Sequence, residues 1–177
     1  MSRLLSIDIE PIIQDGQTLT DVVTSAQAKD YAVLGDNFDN WINIFIASAR
    51  MKLERYTALV FIPSTIKALY AQEGCGDRIL LGYCNNMDSL KDGDGNDLPA
   101  DIILKGYGNQ LYLDTTRHEV TLSYTAGFAT GTAPEIIKHA VLKQIAWDTI
   151  HFGDENSADV CPEAKNLLSQ FRAYVWE

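Results

Sequence analysis

The sequence predicts an α+β protein, mainly helical, with about four helices, two of them long, and a β-rich insertion between the second and third. Three observations carry this. Two blocks, 22–59 and 132–177, open on helix-capping signals and continue with apolar residues at three- and four-residue steps. Between them, over 60–126, the pattern changes to short β-branched and aromatic runs separated by glycine turns. The chain of 177 residues, 46% hydrophobic and 21% charged, has the size and composition of one globular domain.

Residues 1–21 carry scattered Ile and Leu with Pro11 and Gly16, which predicts an arm or short strand. Thr24 and Gln27 form a capping box, so a short helix is expected from there to about Leu34, ended by Gly35. Asp36 is the expected cap of a long helix over Asn37 to Thr57, with Trp41, Phe45, Ala49, Leu53 and Tyr56 on one apolar face. Lys52 and Arg55 suit the negative end of its dipole. Val60-Phe61-Ile62, Thr65 to Ala71, Arg78 to Tyr83, Ile102 to Leu104, Gln110 to Leu113 and Glu119 to Thr125 read as strands. Thr132-Ala133-Pro134-Glu135 is a second capping box, with Pro134 in the first turn. The helix that follows should reach Phe152 and stop at Gly153, with Ile137, Val141, Ile145 and Ala146/Ile150 as its stripe. Pro162 opens the last helix, with Glu163 in its first turn and Leu167, Leu168, Phe171, Tyr174 and Val175 facing inward.

The function classes excluded are broad. Net charge is −10, so bulk charge does not attract nucleic acid. The longest uncharged apolar stretch, Trp41 to Ala49, is too short to cross a bilayer, and the N-terminus lacks the apolar core of a signal peptide. The odd set Cys75, Cys84 and Cys161 has no C-x-x-C pair, which reads as reduced thiols in a cytosolic compartment.

Asp92 to Asp97 imitates a calcium loop, but position 6 is Asp97 and position 12 is Ile103 where Gly and Glu are needed, so a hairpin turn is expected. His139 and His151 lie over three turns apart on one helix and cannot share a metal; His118 stands apart, and His151 suits the helix end. There is no G-x-S-x-G elbow and no glycine-rich loop leading to a lysine. Gly74-Cys75-Gly76 is a flexible thiol loop with no histidine near it in sequence, and Gly106-Tyr107-Gly108 is a bend between strands. The residues alone therefore describe an acidic α+β domain with no catalytic centre, metal or cofactor expected, closer to a binding or structural part than to an enzyme.

The order of parts is more specific. A helix carries Ala47-Ser48-Ala49-Arg50-Met51-Lys52-Leu53-Glu54-Arg55-Tyr56-Thr57, the β block closes on Val120 to Phe128 through Tyr124-Thr125-Ala126-Gly127, and the next helix starts Pro134-Glu135-Ile136-Ile137-Lys138. This resembles the head–tail connector (adaptor) family of tailed bacteriophages and gene-transfer agents, with its A-A-R-x-x-x-E-x-Y-T helix, V-x-Y-x-A-G strand end and P-x-x-[IL]-[KR]-x-A helix start. The resemblance covers about residues 22 to 176; the longer β block and the arm depart from the small members of the family.

It implies one adaptor domain over 1–177: an arm (1–21), a helical part (22–59), a β-rich insertion (60–126) and a helical part with a portal-docking segment (132–177). It implies a non-enzymatic virion protein of the neck, present in the host cytoplasm during assembly. About twelve copies would form a ring under the portal. Its partners would be itself, the portal protein, a downstream stopper or tail-completion protein, and genomic DNA passing through without sequence-specific binding. The docking anchors would be Phe171, Tyr174, Val175 and Trp176; packing at the helix end is the alternative. The rival readings are a stopper or other tail-completion protein, a small enzyme using the Cys75 loop or a carboxylate pair, and a ligand-binding module. A thiol-reactive probe separates the enzyme, whose nucleophilic cysteine would react fast. The arm and β block are expected to project and meet a neighbour by strand addition.

Overall fold

The computed structural model describes residues 2–11, 21–57, 59–72, 78–92, 94–98, 103–105, 110–114, 119–128, 132–154 and 159–171. Four of the features singled out above lie outside them: Gly74-Cys75-Gly76, Gly106-Tyr107-Gly108, His118 and the run Tyr174-Val175-Trp176. The fold is α+β, as the pattern predicts, and divides into two compact units, one of strands and one of helices.

The sheet unit is a six-stranded antiparallel sheet built from β1 (Ser2–Pro11), β2 (Ser64–Gln72), β3 (Arg78–Asp92), β4 (Ile103–Lys105), β5 (Gln110–Asp114) and β6 (Glu119–Ala126), in the order β1-β2-β6-β3-β5-β4. The N-terminal segment is thus a full edge strand, from Ser2↔Gln72 to Pro11↔Ser64 along β2. Pro11 falls at the end of this edge, where its missing N–H disrupts no interior ladder.

In β2 and β6 the residue period of two is strict. Ile66, Ala68, Val120, Leu122, Tyr124 and Ala126 are buried on one face, while Lys67 and Thr121 stand out on the other. The register Ile66↔Tyr124 and Ala68↔Leu122 sets these side chains opposite one another. β3 runs beyond Tyr83 to Asp92. Its first part pairs with β5 and its second with β6, with register shifts at Leu80/Tyr83, Cys84/Asn86 and Met87/Ser89. The polar run Cys84-Asn85-Asn86-Met87-Asp88 conceals this strand in sequence; pairing with β6 overrides its weak propensity.

At the end of β3 the expected hairpin turn is present. Asp92 Oδ1 accepts hydrogen bonds from the backbone N–H of Asp94 (3.1 Å) and Asn96 (2.9 Å), and Gly95 turns with φ +85°. The Asp92 carboxylate is engaged by its own turn, the opposite of an open cation loop.

The helical unit holds α1 (Ser25–Ala32), α2 (Ile42–Thr57), α3 (Glu135–Ile150) and α4 (Pro162–Leu168), the last extended by a 3-10 turn at Ser169–Phe171. The Thr24/Gln27 capping box forms, each side chain accepting the other's backbone N–H at 3.2 and 2.9 Å. Several expectations shift. α1 ends at Ala32, and the left-handed cap is Val33 (φ +54°), not Gly35.

α2 starts at Ile42, because Asn37, Asp39 and Asn40 favour turns and Asp36–Phe38 takes a 3-10 turn. Its buried face is then Ile42, Phe45, Ile46, Ala49, Leu53 and Thr57, while Trp41 is exposed and Tyr56 half-buried. Val60-Phe61-Ile62 is a connection, not a strand, with Phe61 and Ile62 buried and Val60 half-buried. α3 starts at Glu135, with Pro134 and not Thr132 as its N-cap residue. It ends at Ile150; Gly153 (φ +84°) lies in the turn beyond it, and Ile150 is exposed instead of joining the core stripe of Ile137, Val141 and Ile145. In the last helical segment Ala164 and Leu168 are buried, Leu167 and Phe171 half-buried.

Candidate functional site

The motif residues of α2 serve the point where the chain leaves the helices. Glu54 accepts the Phe61 backbone N–H at Oε1 (2.7 Å) and the Arg50 guanidinium at Oε2 (2.8 Å), while Arg50 Nε also reaches Asp21 Oδ2 (3.0 Å). Burial pushes the Glu54 carboxyl above its ordinary range, against the downward pull of Phe61 and Arg50. Thr57 Oγ1 donates to the Leu53 carbonyl (2.8 Å) and receives the Leu59 N–H (3.4 Å), closing the helix. Phe61 and Phe128 then join by a backbone bond of 3.0 Å, so the outgoing and returning chains are tied together. Gly127, with φ +92°, is required just before this tie because an L side chain is strained there. The Arg, Glu and Thr of the α2 motif thus fasten the end of α2 to the segment that follows it within the helical unit.

A second network fastens α4. Gln144, fully buried on α3, gives Nε2–H to Asp148 Oδ1 (2.7 Å) and the Asp159 carbonyl (3.1 Å), and accepts the Cys161 N–H (2.8 Å). Lys52 of α2 completes it at Asp148 Oδ1 (2.8 Å), so Lys52 serves an ion pair and not the helix dipole as expected. Asp148 Oδ2 is buried with no hydrogen-bond partner among the described residues, and burial pushes this carboxyl upward despite Lys52. Cys161 is a buried free thiol donating to Glu163 Oε2 (2.9 Å); burial and that bond push it above the ordinary thiol range, which suppresses the nucleophilic thiolate. His151 pairs with Asp154 (2.8 Å) and lies against Trp147, while His139 meets Tyr31 (3.2 Å). Among the described residues no group of three metal-ligating side chains converges, and no helix is long and apolar enough to cross a membrane.

The helical unit also carries two surfaces. One is an exposed aromatic pair, Trp41 just before α2 and Phe152 just after α3; Ile44 and Ile150 are exposed too, each on the side of its helix opposite the buried face. Phe152 lies edge-on to Trp41 (ring centroids 6.1 Å) and to the buried Phe45 (5.5 Å). The other is an open groove of about 470 Å³ at α3 and α4, where Ile136 and Leu167 lie among the polar Lys143, Glu163, Asn166, Ser169 and Gln170. Sequence reasoning missed both: it placed Trp41 and Ile150 in the core, whereas Trp41 precedes α2 and Ile150, the last residue of α3, lies off that helix's buried face. Of the expected docking anchors, Phe171 ends the 3-10 turn after α4, half-buried, and the other three lie outside the described residues.

These features define a class first: a small α+β protein made of one sheet unit and one helical unit. No protein-family model matches the chain, and no curated protein matches it. Its fold is that of chains from gene transfer agent (GTA) particles. A chain of the neck of an empty GTA particle, computed with C6 symmetry, aligns at TM-score 0.66 and 17% identity over 94% of this chain and 96% of its own. A chain of the native GTA virion aligns at 0.63 and 17% over 94% and 95%. A chain of the native GTA neck, computed with C12 symmetry, aligns at 0.57 and 15% over 89% and 96%.

Proposed function

We propose that this protein is a structural virion protein of the neck, a head–tail adaptor acting as one 1–177 unit and having no enzymatic role. The carrying observation is the end-to-end fold match: 94% of this chain aligns with 96% of a neck chain, so the sheet and the helices are shared together. The particles' six- and twelve-fold symmetry favours a homomeric ring, which we take as about twelve copies beneath a portal. In this reading the protein is made in the host cytoplasm, joins the portal above and a stopper or tail-completion protein below, and lets DNA pass without reading its sequence. Phe171, Tyr174, Val175 and Trp176 are the proposed portal anchors.

The test is direct. Purified protein is mixed with the portal protein of the same genome and imaged by electron microscopy. A ring of added density under the portal is expected, lost when residues 171–177 are removed. A bare portal at saturating protein rejects the adaptor role and favours the stopper reading, to be followed by mixing with tail components.

A further inference from the structure

Helix α2 is apolar on two sides. Its buried face is Ile42, Phe45, Ile46, Ala49, Leu53 and Thr57. Ile44, Ala47, Ser48, Met51 and Arg55 recur at steps of three and four residues and share the opposite side, because each residue advances a helix by about 100°. Ile44 is 58% exposed and Met51 62%, with the small Ala47 and Ser48 between them. Trp41, 49% exposed, lies one turn before Ile44, and its carbonyl accepts the Ile44 and Phe45 N–H at 2.9 and 3.0 Å. A helix that is apolar on both sides is ordinarily buried on both.

We propose that this stripe is a contact between two copies of the chain, their α2 helices packed antiparallel about a two-fold axis between Ala47 and Ser48. In that orientation the stripe is its own complement. Ile44 faces Met51 of the other copy, apolar against apolar. Ala47 faces Ser48, and two small residues let the helices approach at the short end of the usual distance of about 8–10 Å between axes. Arg55 comes level with Trp41 of the other copy, a cation on an aromatic face. The axis repeats each of these pairs. Parallel packing would instead set Arg55 against Arg55 and bring like charges together.

Charge also favours a second copy as the occupant. Arg55 is the one charged residue of the stripe; it is exposed and makes no ion pair among the described residues. A second copy brings a net charge of −10 to that cation, and the contact places no carboxylate in its apolar centre. Trp, Met and Arg are the residue types that interfaces favour over the rest of a surface. The stripe exposes roughly 300–400 Å² on each copy, at 150–250 Å² for a large aromatic and less for the others, which is half or less of the roughly 800 Å² of a standard interface. The dimer is therefore weak and dissociates on dilution. A two-fold contact does not repeat around a cyclic ring, so this interface belongs to the free protein and goes beyond the adaptor reading.

The test has two parts. Sedimentation of the full chain under reducing conditions, across a concentration series, reads self-association. Wild type is expected to show a reversible monomer–dimer equilibrium. Met51→Glu and Arg55→Glu, both at exposed positions and checked by far-UV melts, are each expected to weaken it at least tenfold. Disulfide trapping in a Cys75→Ser, Cys84→Ser background reads the orientation, since Cys161 is buried. Ser48→Cys, beside the axis, is expected to cross-link to itself. Ile44→Cys and Met51→Cys each lie about 10 Å along the helix from their own counterparts, so neither is expected to link alone, whereas an equal mixture of the two is expected to link. A wild-type monomer at every concentration would overturn the interface, and so would variants that associate as wild type does. Ile44→Cys or Met51→Cys linking to itself as readily as the mixture would also overturn it, as would larger assemblies without this cross-linking pattern. Each of these results leaves the adaptor reading standing, because that reading is decided on the portal.

Discussion

Val33 holds a left-handed backbone (φ +54°) while 89% exposed, a conformation that costs a β-branched residue about 1–2 kcal/mol. It persists because it closes α1: the Leu34 N–H reaches the Lys29 carbonyl (3.0 Å) and the Val33 N–H the Asp30 carbonyl (3.4 Å). Val33→Gly should relieve the strain and raise stability by about 1 kcal/mol, read as an upward shift of the urea midpoint at constant slope. Asp148 makes a prediction in pH. Its folded carboxyl is pushed up by burial, so the folded state binds its proton more tightly than the unfolded state does. Its stabilising contribution is complete below the ordinary carboxyl value of 3.8 and declines as pH rises through the raised folded value. Asp148→Asn removes that decline, so the stability of the variant minus that of wild type should grow with pH from about 4 upward. A pH-independent difference in denaturant titrations would contradict the assignment.

Among the elements, α4 is the one most dependent on others. It is only Pro162–Leu168, shorter than an isolated helix can sustain, so packing and the Gln144–Cys161 bond must hold it. Leu168 is fully buried, and Leu168→Ala should cost about 2–5 kcal/mol, measured by chemical denaturation. The capping box of α1 and the stripe Ile137, Val141 and Ile145 of α3 were legible because they depend on neighbours within a turn or two. The starts of α2 and α3 were not. Asp36 and Thr132 are good local caps, but each competes with turn conformations nearby that the fold selects. The last part of β3 was hidden for the same kind of reason: its partner β6 lies far along the chain.

At the scale of the whole molecule the acidic balance acquires a use in the proposed assembly. Twelve copies would bring about −120 formal charges together, and an acidic channel wall repels DNA phosphates within a Debye length of about 8–10 Å. The portal-bound ring imaged in the proposed experiment should therefore show an acidic lumen, and a neutral or basic lumen would contradict this role for the charge. The ten-residue edge strand β1 is a second whole-molecule feature: it bears Arg3, Asp8, Glu10 and Pro11, residues that blunt an edge against indiscriminate pairing. If the strand unit meets a neighbour as the sequence suggests, these residues restrict which strand can be added.

The chain by itself determined its class, the helix–sheet–helix order and the motif residues, because capping, glycine turns and residue periods act locally. Only the tertiary structure decided that the N-terminal segment is an edge strand, that Arg50 and Glu54 fasten the end of α2, and that Trp41 and Phe152 meet at the surface. The physical reason is that strand partners and burial depend on residues distant in sequence. α2 begins five residues later than its local pattern predicts; Phe45, Ala49 and Leu53 stay on the buried face, but Trp41 is left before the first turn, in solvent.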